Sequence, residues 1–149
     1  MKAFRNDLLS SVINALKKLE DMNNVEKCCN LCVDSVSISK SEVLFNFNLF
    51  HGGVKRNFRS CIYVNDNDFN FLTRIDFDLS STSGALHGTD GLEKQLSRNL
   101  HMGQYVIHDG TQIYYKANFA AKVEDLDISS MCQTLFAFIY CSTSILDQF

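Results

Sequence analysis

YVIHDGTQIYYKANF, residues Tyr105–Phe119, is the stretch whose reading decides the fold. Tyr105 and Ile107 share one face while Val106 and His108 share the other, and Ile113, Tyr115, Ala117 and Phe119 alternate with Gln112, Tyr114, Lys116 and Asn118. Side chains of a strand point alternately to opposite faces, so the stretch reads as two strands. Asp109-Gly110 between them suits a two-residue turn, because both central residues of that turn take positive φ and Asp and Gly tolerate it. Such a loop sets His108 opposite Thr111 and Val106 opposite Ile113.

Working outward, Asp90 followed by Glu93 has the spacing of a capping box, and Leu92, Leu96 and Leu100 recur every four residues. This predicts a short helix ending near Gly103. Beyond the hairpin, Ala120–Asp125 reads as a loop and Asp127 as a helix N-cap. Ile128, Met131, Cys132, Leu135, Phe138, Ile139, Ile145, Leu146 and Phe149 trace one helical stripe, widened by Phe136, Ala137 and Tyr140. Leu135–Cys141 is thus apolar nearly all round, which predicts burial on two sides, inside the fold or against a partner.

At the other end, Phe4, Leu8, Val12, Ala15, Leu16 and Leu19 recur at helical spacing and predict a helix over Ala3–Asp21. A strand follows over Leu31–Ile38, with Val33 on one face and Val36 and Ile38 on the other. Val43, Phe45, Phe47 and Leu49 alternate with polar residues, His51-Gly52-Gly53 supplies a turn, and Phe58, Ser60, Ile62 and Val64 continue the alternation. Asn65-Asp66-Asn67-Asp68 is a concentrated turn signal, since Asn and Asp bond their own backbone. Phe69–Leu79 forms the longest alternating run and predicts a central strand, and Ser80–Thr89 reads as a loop. The expected fold is a single α+β domain over residues 1–149, an antiparallel sheet packed by helices in the order α-β-β-β-β-α-β-β-α.

Composition narrows the function classes. The 149 residues carry a formal charge of −3, which offers no clustered basic face for nucleic acid. No run reaches the roughly 18 apolar residues that span a membrane, and a cytoplasmic location is the expectation. Six cysteines without a signal sequence read as reduced, structural thiols. Cys28, Cys29 and Cys32 include the C-x-x-C spacing of redox or zinc sites, but the second half of a zinc site is missing.

Catalytic signals are sparse. His51, His87, His101 and His108 sit in turns, loops and element ends with no nucleophile motif around them, and no serine pair lies in a nucleophile elbow. Asp66-Asn67-Asp68 lacks the Gly and the distal Glu of a calcium loop. Asp76 and Asp78 share a strand face roughly 7 Å apart, close enough for a metal or an acid pair, though a solvated face explains them more simply. The glycines match no dinucleotide or phosphate loop, so no cofactor is expected and the chain is not read as an enzyme. What stands out instead is apolar surface. Leu44 and Leu72 lie on otherwise polar strand faces, and Phe136 and Tyr140 broaden the last helix. These four are the candidate client or dimer surface.

The run of a short helix, Met102-Gly103-Gln104-Tyr105 and the strand behind it, a second strand with Lys116 late in it, and a closing helix ending Ile145-Leu146-Asp147-Gln148-Phe149 resembles the YbjN-like group and the type III secretion chaperones, the Tir-chaperone type included. The resemblance covers residues 90–149 by pattern and the earlier part by element order. It implies a cytoplasmic bacterial protein, a homodimer, which binds a segment of a client protein, such as a secreted effector, and does no covalent chemistry. The alternative it leaves open is a YbjN-like regulator responding to a small ligand or metal. The high cysteine content departs from the pattern.

Overall fold

The computed structural model describes residues 2–25, 31–51, 53–75, 93–94, 96–98, 100, 102–108 and 112–148. Helix α1 (Lys2–Val25) is followed by strands β1 (Leu31–Ser39), β2 (Glu42–His51), β3 (Val54–Val64) and β4 (Asp68–Ile75), then β5 (Gln104–His108) and β6 (Gln112–Ala120). A 3-10 turn (Val123–Leu126) leads into helix α2 (Ile128–Thr143), and a second 3-10 turn (Ser144–Gln148) closes the described chain. The architecture is α+β: one six-stranded antiparallel sheet, open rather than closed into a barrel, ordered β1-β2-β3-β4-β6-β5. Glu93, Lys94, Leu96 and Ser97 are helical, at the place where the leucine spacing predicts a helix.

The alternation of apolar residues decides which face of the sheet is buried. Val43, Phe45 and Phe47 of β2, Phe58, Ile62 and Val64 of β3, Phe69, Phe71 and Ile75 of β4 and Ile113 and Tyr115 of β6 all point to one side and are buried. Leu8, Val12, Ala15 and Leu16 of α1 and Met131, Leu135, Phe138 and Ile139 of α2 complete the same core. Phe138 sits at its centre, with ring centroids 6.0 Å from Phe69, 5.6 Å from Phe71 and 6.2 Å from Phe119. A fully buried aromatic side chain of this kind contributes about 1.5–3 kcal/mol by removal from water. In the middle of the buried face the cross-strand pair Ser60 and Thr73 is satisfied by a hydrogen bond between the two hydroxyls at 3.0 Å.

The turns follow the residue chemistry. His51 pairs with Val54, which leaves Gly52-Gly53 as a two-residue connection in which Gly53 takes φ 79°. Asn65 donates from its backbone to Asp68 O at 2.8 Å and from Nδ2 to Asp68 Oδ1 at 2.7 Å, so the Asn-Asp run closes the β3–β4 turn. Arg5 donates to Ser41 Oγ and ties the start of α1 to the β1–β2 turn, where Lys40 holds φ 55°. Asp127 caps α2 as the sequence predicts, its carboxylate accepting from Ser130 N at 3.3 Å.

Several expectations are corrected. In the β5–β6 hairpin Ile107 pairs with Ile113 and His108 with Gln112, so three residues, 109–111, separate the strands rather than two. The cause is the core. A two-residue loop would set Tyr105 opposite Tyr114 and Val106 opposite Ile113, turning one strand's buried residues outward. The three-residue register places Tyr105 with Tyr115 on the buried face. In β1 the pairing shifts by one residue between Asp34 and Ser37, a bulge. Val33 therefore faces Phe47 and Ile38 faces Val43, on the same side of the sheet rather than on opposite sides. Helix α1 runs on to Val25 instead of ending at Asp21. Glu93 Oε1 accepts from Ile107 N on β5 at 2.7 Å, and Asp90, the other half of the predicted capping box, lies outside the described residues. Of the two coverings expected for helix α2, the fold supplies burial on one side, and Phe136 and Tyr140 are exposed in the single chain. Asp76–Leu79, Ser80–Thr89 and Asp90 lie outside the described residues, so the predicted strand is seen only to Ile75.

One segment, Ile128–Leu146, is long and apolar enough to cross a membrane by length and composition, against the expectation that none is. In this fold its apolar stripe of Met131, Leu135, Phe138, Ile139, Ile145 and Leu146 is spent on the core.

Candidate functional site

Both helices pack on the same side of the sheet, so the even-numbered side chains of β2, β4 and β6 and the odd-numbered ones of β3 face away from them. Register then aligns residues that are distant in sequence. Leu44 pairs with Cys61, Cys61 with Leu72, Leu72 with Lys116, and Lys116 with Gln104. With strands about 4.8 Å apart, this row crosses five strands over roughly 19 Å. A parallel row holds Glu42, Tyr63, Asn70 and Asn118, and a third holds Asn46, Arg59, Arg74 and Tyr114.

The first two rows bound a surface depression of about 730 Å³, floored by Cys61, Tyr63 and Leu72 and walled by Glu42, Lys116 and Gly103. Its polar wall is held in place: Asn118 Nδ2 donates to Asn70 Oδ1 at 3.0 Å and to Asp68 Oδ2 at 3.2 Å. Its far wall depends on Gly103, which takes φ 75°. A Cβ there would lie 2.5 Å from Tyr115 Oη and 2.7 Å from Lys116 O. Only glycine fits both the conformation and the space. Tyr115 Oη in turn donates to Met102 O at 2.8 Å.

Leu44 is 42% exposed and Leu72 36%, with Tyr63 beside them at 47%. The structure thus brings Leu44 and Leu72 together across Cys61. Phe136 and Tyr140, 47% and 68% exposed, stand one turn apart on the outer side of α2, in the other layer of the molecule. The four residues form two surfaces, one on each side. Cys61, Tyr63, Lys116 and Gly103 were missed by the sequence reading. Their signal is the cross-strand alignment, which exists only once the register is known.

Burial, and then the Glu42 carboxylate, push the Cys61 thiol above its ordinary value, so it is protonated at neutral pH. Burial raises Cys132 and Cys141 likewise, against a lowering influence of Lys18 on Cys132 and of a Tyr115 hydrogen bond on Cys141. His108 lies edge-on to Tyr114, ring centroids 6.3 Å apart. Among the described residues no group of three or more His, Cys, Asp or Glu side chains is placed to hold a metal ion. Cys28, Cys29, the side chain of Cys32, Asp76, Asp78, His87 and His101 lie outside the described residues. Asp68, one of the turn carboxylates, is engaged by Asn65 and Asn118.

Comparison with known proteins adds no assignment: no family model, no curated protein and no solved structure matches the chain.

Proposed function

We propose that this protein is a non-enzymatic protein-binding module, a chaperone or adaptor that holds a segment of a client protein against the face of its sheet opposite α1 and α2. The observation that carries the reading is the row Leu44–Cys61–Leu72, apolar, contiguous and solvent-facing among the described residues, on the face of the sheet opposite α1 and α2. Strands of this sheet leave a shallow, ridged surface that suits an extended segment, with Tyr63 as an aromatic anchor and Lys116 and Glu42 as polar guides at the rim. The resemblance to type III secretion chaperones supports the same reading and extends it to a cytoplasmic bacterial homodimer acting on a secreted effector. In that arrangement Phe136 and Tyr140 on α2 form the contact between copies.

The test is site-specific photo-crosslinking in the native host. A crosslinking residue at position 72 captures a discrete polypeptide, Leu44→Asp abolishes the capture, and the same residue at position 14 on exposed α1 captures none. Equal capture from positions 72 and 14, or capture indifferent to Leu44→Asp, rejects the reading.

A further inference from the structure

The depression on the sheet face opposite α1 and α2 carries opposite charges at its two ends. Glu42, at the start of β2, walls one end, and Lys116 on β6 walls the other. Register places them: Glu42 pairs with Tyr63, Tyr63 with Asn70 and Asn70 with Asn118, and Lys116 lies two residues before Asn118 on β6. Three strand spacings of about 4.8 Å across and two residues of about 3.4 Å along set the two Cα atoms roughly 16 Å apart. Glu42 and Lys116 are thus too distant to neutralise each other. Asp68, a further acid on this face, is held by Asn65 and Asn118. Between the two charges the floor is Cys61, Tyr63 and Leu72, and both Tyr63 and Leu72 reach solvent. Burial, and then Glu42, keep the Cys61 thiol protonated, so the floor itself adds no charge.

An extended segment crossing the strands meets this floor with every second side chain, because successive side chains of an extended chain point to opposite sides. Residues four apart then face the sheet together, about 13.6 Å from each other, with the residue midway facing it too. Residues five apart point to opposite sides, and residues six apart span about 20 Å and overshoot the two charges. Four is therefore the spacing whose end side chains, leaning outward, reach both. The complement of the site is a basic residue over Glu42, an apolar residue over Tyr63 and Leu72, and an acidic residue over Lys116. Charges placed in this way fix register and reject segments of the wrong pattern through like-charge contacts.

We infer that this face selects an extended client segment with a basic and an acidic residue four positions apart and an apolar residue midway between them. The inference rests on the client-binding reading of the same face and adds the sequence class that it accepts. Contact is made through side chains, so either order of the two charges along the client fits.

The experiment titrates the full chain with blocked pentapeptides, Lys-Ser-Leu-Ser-Glu, Lys-Ser-Leu-Ser-Lys, Glu-Ser-Leu-Ser-Glu and Lys-Ser-Ser-Ser-Glu, followed by NMR of the amides of Glu42, Tyr63, Leu72 and Lys116. Expected is saturable movement with the first. The two like-charged peptides should bind about fivefold more weakly, the modest effect of exchanging one exposed ion pair for a like-charge contact. Lys-Ser-Ser-Ser-Glu, without its apolar residue, should bind more weakly than the first as well. Glu42→Lys should make Glu-Ser-Leu-Ser-Glu the tightest of the set, Lys116→Glu should do so for Lys-Ser-Leu-Ser-Lys, and the double exchange should restore the first peptide. Equal binding of the three leucine peptides, preferences unmoved by the charge exchanges, or no peptide moving these signals at millimolar concentration overturns the inference. Photo-crosslinking from position 72 judges the client-binding reading separately: capture that is lost on Leu44→Asp, together with equal binding of the three leucine peptides, keeps that reading and removes the charge pattern. The peptide comparison needs no variant, so it decides even if a substitution unfolds the chain.

Discussion

Replacing Tyr105 by Phe removes one oxygen from the place where β5 meets the end of α2. That oxygen accepts from Ile145 N at 3.0 Å and lies 3.0 Å from Cys141 O and 3.1 Å from Ser142 O, the carbonyls that share its proton. The three groups do not lose equally. Cys141 O keeps the Ser144 hydroxyl as a donor at 2.8 Å. Ile145, 1% exposed, has its N–H left in the interior. An orphaned buried donor costs about 1–3 kcal/mol and an ordinary hydrogen bond about 1, so the substitution should cost roughly 2–3 kcal/mol. At about 2–4 °C per kcal/mol for a chain of this size, the Tm should fall by roughly 5–10 °C. Circular dichroism melts and urea titration measure it. Tyr114→Phe is the matched control: its hydroxyl donates to Gln112 Oε1 at 3.0 Å on the open face, where water can replace the bond. That change should stay within about 0.5 kcal/mol. Hydrogen exchange adds a local readout, since the Ile145 amide should lose protection in Tyr105→Phe before the sheet does. Equal Tm changes in the two variants would refute the claim that this hydroxyl secures the C-terminal turn.

Two further outcomes follow from the same region. Gly103→Ala meets both positive φ and a Cβ overlap with Tyr115 Oη and Lys116 O, whereas Gly53→Ala meets positive φ with nothing within 4 Å. The first should cost at least about 2 kcal/mol more than the second, since backbone conformation alone accounts for about 1; similar urea midpoints would contradict the packing at Gly103. Burial, with smaller contributions from Cys141 and Tyr105, raises the Tyr115 hydroxyl above its ordinary value of 10.0. The folded state then holds this proton more tightly than the unfolded chain, so its contribution to stability is complete below pH 10 and declines as pH rises past it. Urea midpoints between pH 8.5 and 11 should show this decline in the parent chain and a smaller one in Tyr115→Phe; identical slopes would rule out the buried hydroxyl as its source.

Much of the fold is legible in the residues because a half-buried strand writes its environment as alternation. The hairpin loop shows how far that reach extends. Tyr105 and Ile107 must share a face with Ile113 and Tyr115, and with odd-numbered core residues on both strands only an odd loop length brings them together. The Asp-Gly pair argued for two residues, and the core outweighed the turn. The β1 bulge could not be read in this way, since Val33, Val36 and Ile38 are compatible with a flat strand on either face. Of the candidate surface, Leu44 and Leu72 were visible one at a time as apolar residues out of place. Their adjacency depends on two registers, through Cys61, that no local pattern contains. Phe136 and Tyr140 were visible as excess apolarity on a helix, but the outward direction of that excess is set by where α1 packs.

Glu93 carries the last step. Read locally it belongs to a capping box; in the fold it accepts from Ile107 N while Ser97 Oγ accepts from Tyr105 N at 2.9 Å. One helical turn advances about 5.4 Å and two strand residues about 6.8 Å, so acceptors four residues apart on a helix can meet alternate N–H groups along a strand. Those are the outward-facing donors of β5, the edge strand at that end of the sheet. With both taken by side chains, an incoming strand cannot pair with β5 without displacing residues 93–97, where Leu96 is anchored in the core. Edge protection of this kind is a recognised defence against unwanted strand pairing. It has a consequence for client binding: strand addition at β5 competes with built-in acceptors, whereas the Leu44–Cys61–Leu72 row is open to side-chain contact at no such cost. On the proposed function, a client segment would therefore be gripped across the strands of the sheet face, through its side chains, rather than added as a strand at the β5 edge.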